Sequence, residues 1–161
     1  PWTKLDPIEM RERTPAQYPI RYYGDITHNV RCQYPVPEWD RAFAHGLNRE
    51  APNPRAQDTY HIFKHYSKYI PNSISYSEGV NDDLNKFIWT TLGWDPETPL
   101  DTILHEYGKV FFGESEAEAV AQGLPMLEQN WRGPIAKNAG IVKTLDHWKG
   151  IASRSGAGAQ A

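Results

Sequence analysis

Residues 73–86 read SISYSEGVNDDLNK. The stretch opens as a short extended run and closes as the start of an apolar helix. Between the two lie Glu78, Gly79, Asn81, Asp82 and Asp83. A strand that hands over directly to a helix reads as a βα unit of a parallel α/β protein, where ligands collect at the carboxyl ends of strands. Asn81 suits a helix cap, and Asp82 and Asp83 suit the positive end of the helix dipole. Folding needs no Glu78 in that role, and Gly79 lets the backbone turn sharply beside it.

A second extended stretch lies upstream. Residues 18–25, YPIRYYGD, are rich in β-formers and close on Gly-Asp. Between the two strands, residues 55–70 place Tyr60, Phe63, Tyr66 and Ile70 at roughly helical spacing, and Pro71 stops the helix. Residues 1–17 read as loop or a short helix. THNVRCQYPVP is a long loop, residues 37–45 a short helix, and LNREAPNPR is loop because Pro52 and Pro54 interrupt it.

Downstream the period is helical throughout. Residues 81–94 form one helix with Leu84, Phe87, Ile88 and Thr91 on a face. Residues 100–112 carry apolar groups at 100, 103, 104, 107, 110 and 111, which repeats the i, i+3, i+4, i+7 template. Ile103, Leu104, Tyr107 and Phe111 are expected to be buried there, with Glu106 and Lys109 in solvent. Residues 115–131 form another helix, with Ser115 and Glu118 at capping-box spacing and Pro125 as a kink site. A last helix is expected at 139–148, and SRSGAGAQA is small and polar.

Two βα units cannot close a sheet by themselves. The expected fold is therefore α/β: the C-terminal βα units of a (β/α)8 barrel, followed by a helical extension, in a chain that is a fragment. Residues 1–95 would be the partial barrel, 96–150 the extension and 151–161 a disordered tail. The 161 residues suit one domain. The net charge of −3 gives no support to nucleic-acid binding through a basic face. Cys32 is the one cysteine, so an intramolecular disulfide and a thiolate metal cluster are excluded. No apolar run reaches the roughly 18 residues of a membrane span. No membrane partner and no cofactor are expected. The N-terminal residues do not read as a signal peptide, and a chain that starts at Pro1 without Met is expected to be mature, trimmed or a fragment.

Both strands deliver carboxylates to one edge, Asp25 from the first and Glu78 from the second. A glycosidase needs such a pair, one acid to protonate the leaving oxygen and the other to support or attack the sugar carbon. Asp25 also reads as a turn residue, and Asp82 and Asp83 also read as dipole compensation. His28 and Asn81 lie beside the two acids. QYPVPEWD holds Tyr34 and Trp39 on a proline-stiffened loop, which suits a sugar subsite and suits a packed loop nearly as well. His61 and His65 in HIFKH share a helical face at a spacing that can hold zinc, but the metalloprotease glutamate is absent and a surface face is the plainer reading. His105 and Glu106 read as surface.

Two stretches carry a resemblance. YYGDITHNVRCQYPVPEWDRAFAHGLNREAPNPR and SISYSEGVNDDLNKFIWTTLGWDPETPLDTILHEYGKVFFG resemble the C-terminal barrel region of large bacterial glycoside hydrolases, similar to the β-hexosaminidase, alpha-glucuronidase and alpha-N-acetylglucosaminidase groups. The resemblance implies a hydrolase of glycosidic bonds of an amino sugar or uronic acid, located in the periplasm or secreted, with the remainder of the barrel and a carbohydrate substrate as partners. The strand-end reading then makes Glu78 and Asp25 catalytic, and His28, Tyr34, Trp39, Asn81 and Asp82 substrate-binding. Two rivals stand beside it. One is a non-catalytic carbohydrate-binding or assembly segment. The other is a metal-dependent hydrolase using His28, His61 and His65.

Overall fold

The structure, a computed structural model, describes residues 6–29, 32–40, 54–77 and 82–155. Helix α1 spans Pro7–Arg13 and strand β1 Arg21–Asp25; α2 spans Ala56–Ser67 and β2 Asn72–Tyr76. The helices α3 (Asp83–Trp94), α4 (Leu100–Phe112), α5 (Ala117–Gln129) and α6 (Gly140–Ser155) follow, with a 3-10 turn at Ile135–Lys137 before α6. β1 and β2 run parallel, with Arg21 opposite Asn72 and Asp25 opposite Tyr76. They form the whole sheet among the described residues.

The barrel expectation is overturned. Six helices around one two-stranded sheet make a mostly helical molecule, and no barrel is formed among the described residues. The reason lies in the periods. Among the described residues only 21–25 and 72–76 form strands, and every apolar repeat after residue 82 is helical, so nothing there continues the sheet. The order strand, helix, strand, then helices matches the sequence expectation. The helix expected at 37–45 is absent over its described part: Trp39 makes isolated β-bridges to Arg132 and Gly133. Its remainder lies outside the described residues.

One core runs through the molecule. Ile20 and Ile26 flank β1, Phe63 and Ile70 come from the α2 side, and Ile88, Trp89 and Leu92 from α3. Ile103 and Leu104 of α4, Val120 and Leu124 of α5 and Ile151 of α6 complete the same cluster, which is continuous across residue 95. α6 extends to Ser155, past the expected Trp148, because Ile151 is buried in that core. Each buried aliphatic side chain contributes about 1.5–3 kcal/mol of hydrophobic stabilisation, so these helices are held mainly by packing.

Two glycines mark where backbones meet closely. A Cβ on Gly24 would stand 2.6 Å from the Trp89 ring, so α3 lies against β1 only because residue 24 has no side chain. A Cβ on Gly108 would stand 2.7 Å from the Ala117 carbonyl oxygen, which sets the approach of α4 to α5. That contact turns the α4 face. Ile103, Leu104 and Tyr107 are buried as expected and Glu106 and Lys109 are exposed, but Gly108 is buried while Phe111 is 55% exposed. The last turn of α4 therefore leaves the core. α5 begins two residues after the capping-box serine, and its N-cap residue, Glu116, makes no side-chain cap. The Glu116 carboxylate instead accepts a forked pair of bonds from Arg154, at 3.0 and 2.7 Å, and so ties α6 to α5.

Candidate functional site

The carboxyl ends of β1 and β2 meet the N-termini of α2 and α3, and polar residues are buried there. Parallel pairing puts Asp25 opposite Tyr76, and Thr27 after β1 meets Asp82 beyond β2 at one edge. Asp25 is 3% exposed and His28 is 1% exposed. One Asp25 oxygen accepts the backbone N–H groups of Thr27 (3.2 Å) and His28 (3.1 Å). The carboxylate also faces His28 Nδ1, at 2.9 and 3.0 Å from its two oxygens. The chain folds back beyond it, as Gln33 accepts the Asp25 N–H and Asn29 accepts the Val36 N–H. The His28 ring stacks on Tyr76 of the neighbouring strand, with centroids 6.2 Å apart and planes 19° from parallel.

Asp82 closes the cluster from the β2 side. Thr27 donates its hydroxyl to Asp82 Oδ2 at 2.6 Å, and Lys86 sits 3.2 Å from the other oxygen. Burial alone would raise the Asp82 carboxyl. The hydrogen bonds from Thr27, Ser77 and Lys86 and the lysine charge hold it below its ordinary value. Asp82 occupies the α3 N-cap position without capping through its side chain. Its neighbour Asp83 accepts the Tyr107 hydroxyl. Both aspartates thus join separate elements, one the β1 loop to α3 and the other α3 to α4.

Several residues behind the edge were not singled out from sequence. Asn85 donates to the Ile26 carbonyl and accepts the Arg55 N–H, each at 2.9 Å, so it fastens the β1 loop to the start of α2. Arg55 donates to the Tyr34 carbonyl and pairs with Asp58, and Arg132 pairs with the other Asp58 oxygen. Glu128 of α5 accepts the N–H groups of Gln57 and Asp58, capping α2 from far along the chain. Burial pushes the Glu128 carboxyl up, against the lowering effect of those two N–H groups. The available signal was a polar residue on an apolar helix face: Asn85 lies among Leu84, Ile88, Trp89 and Leu92, and Glu128 follows Val120 and Leu124.

Of the site residues read from sequence, the structure brings Asp25, His28 and Asp82 together, with Thr27 as the link. Glu78 and Asn81 lie outside the described residues. Tyr34 holds Arg55 through its carbonyl, and its ring lies 5.8 Å from that of Tyr66. Trp39 packs edge-on against Trp131, at 5.4 Å, and stands with the segment after α5. His61 and His65 are exposed on α2 whereas His28 is buried at the strand end, and no group of three or more metal-ligating side chains occurs among the described residues. No helix among the described residues is long and apolar enough to cross a membrane. Comparison with family models, curated proteins and solved structures finds no match for this chain.

Proposed function

We propose that this chain forms part of a glycoside hydrolase acting on an amino sugar or a uronic acid, and that its carbohydrate site is the shared end of β1 and β2. One observation carries the reading. Asp25 and Asp82, which follow two neighbouring parallel strands, are joined by Thr27 at one edge beside a histidine. Carboxylates gathered at adjacent strand ends are the residue type that two-carboxylate glycoside chemistry uses, and carboxylates also bind sugar hydroxyls. The resemblance of the two quoted stretches to large bacterial glycoside hydrolases supports the same reading.

The experiment is a saccharide panel read by NMR on the isotope-labelled chain, with methyl glucuronide, N-acetylglucosamine and glucose as probes. The expected result is saturable shifts at Thr27, His28 and Lys86 with the first or second sugar. Shifts confined to α5 and α6, or none with any sugar, contradict it.

A second reading is a carbohydrate-binding or assembly segment without turnover. The open face of the sheet favours it. Tyr23 and Ile74 are paired across the strands and are 46% and 47% exposed, and the Tyr23 ring lies 5.7 Å from that of Tyr76. The isolated chain is expected to be inactive under both readings, so turnover of aryl glycosides by the full-length protein of which it is part, and its loss in Asp25→Asn, separates the two.

A further inference from the structure

We infer that the cleft between the end of α5 and the start of α6 binds a small organic anion, a carboxylate or phosphate that carries a short apolar arm. This goes beyond the carbohydrate reading and uses none of the strand-end residues. Two cavities adjoin in the cleft, of about 240 and 380 Å³, and they share Gln129 and Asn138. Pro125, Met126, Lys143 and Thr144 line the smaller one, and Arg132, Pro134 and Lys137 line the larger. The walls carry one sign of charge. The chain has 20 acidic residues against 17 Lys and Arg, yet no Asp or Glu among the described residues lines either cavity. Asp58, 2.7 Å from Arg132, and Glu128, at 4.0 Å, answer the arginine charge. Lys137 and Lys143 are exposed and form no ion pair with any described residue. One such cation on each cavity leaves a positive field over the apolar surface of Pro125 and Met126. An inorganic anion would answer the charge and leave that surface wet. A neutral apolar molecule would cover the surface and leave the charge unanswered. A short alkyl arm ending in an oxyanion does both.

The cleft is built by the fold. The Asn138 amide donates to the Gln129 and Asn130 carbonyls at the end of α5, at 3.3 and 3.4 Å, and its Oδ1 accepts the Gly140 N–H at 2.9 Å. Thr144 donates its hydroxyl to Asn130 Oδ1 at 3.2 Å, which ties the first turn of α6 to the same point. Both walls are therefore held before a ligand arrives, which lowers the cost of binding. The Gly140 N–H is taken by Asn138, so the site consists of the cavities and their lysines and not of a helix end. Neither cavity has an aromatic ring in its wall, so a base or a sugar finds no stacking partner there. The smaller cavity equals roughly eight waters at about 30 Å³ each, which is room for a short alkyl arm.

An NMR titration of the isotope-labelled chain tests this, with hexanoate and hexyl phosphate as full probes and acetate, inorganic phosphate and hexanol as partial ones. Saturable shifts are expected at Met126, Gln129 and Lys143 with a full probe, and the tighter of the two names the head group. Each partial probe is expected to bind at least ~10-fold more weakly, the scale of one charge-assisted hydrogen bond. The doubly substituted chain, Lys137→Gln with Lys143→Gln, should keep its melting temperature, since both side chains are exposed and unpaired. It should bind the full probes at least ~10-fold more weakly. Acetate or phosphate binding as tightly as the full probes leaves a plain ion site and overturns the inference. Hexanol binding as tightly, an unchanged affinity in the double variant, or no shift at these three residues overturns it as well. The comparison of probes on the wild-type chain decides even if the double variant fails to fold.

Discussion

In the seam between α3, α4 and α5 the buried residues include Ile88, Leu92, Ile103, Leu104 and Val120; at the strand end they include Asp25, Thr27, His28, Asp82 and Asn85. The first set gains stability without regard to direction, since removing apolar surface from water needs contact and little else. The second gains it only while each donor meets its acceptor. A buried polar group that loses its partner costs about 1–3 kcal/mol, which is as much as a hydrophobic contact contributes. Folding alone would be served as well by an apolar strand end. A polar network concentrated where two parallel strands finish is the feature that asks for a functional explanation.

Leu104→Asp should break the seam most severely. It buries an unpaired charge at a site 1% exposed, and a loss above about 4 kcal/mol is expected from that mechanism. Urea unfolding checks it, and an unchanged midpoint would remove α4 from the core. Gly108→Ala comes next. The new methyl group meets a backbone carbonyl, which cannot rotate away, so α4 and α5 must separate. Overpacking of this kind costs about 1–3 kcal/mol.

Asn85→Leu carries the comparison to the polar end. The side chain is similar in size and more apolar, yet it orphans the Ile26 carbonyl and the Arg55 N–H. A loss of about 2 kcal/mol is expected. A stabilised variant would show that the strand end behaves as ordinary core.

Tyr107→Phe should have the smallest effect, about 1 kcal/mol for the bond to Asp83. Its signature is in pH. Burial, followed by the hydrogen bond and charge of Asp83, raises the Tyr107 hydroxyl above its ordinary range. A raised folded-state value means this stabilisation is complete below the unfolded tyrosine value of about 10. It is lost as pH climbs from there toward the folded value. The wild-type chain should therefore lose stability in that alkaline window, and Tyr107→Phe should lose less.

The seam was legible because helical period and burial share one cause. The expected bounds of α4 match the observed ones, and Ile103, Leu104 and Tyr107 fall inside as the spacing requires. Phe111 escapes because Gly108, which no hydrophobic scale favours, makes the closest approach to α5. The strand end was legible in part. Asp25 and Asp82 follow β-rich runs, and parallel pairing of those runs brings their ends together. Asn85 and Glu128 show in the sequence only as polar residues on apolar helix faces, because their partners are backbone groups of distant elements, which no local pattern reveals. Trp39 reads with a sugar site because an aromatic beside carboxylates suits a sugar; its edge-on contact with Trp131, far along the chain, is one that no local pattern shows. The barrel expectation extended two real βα units into strands that the described chain does not contain.

The most direct test of the central claim is the saccharide titration followed residue by residue across both regions. The account predicts that methyl glucuronide or N-acetylglucosamine shifts Thr27, His28 and Lys86 in a saturable way and leaves Leu92, Ile103 and Val120 unmoved. A seam that responds while the strand end stays silent, or a strand end indifferent to every sugar tried, would contradict it.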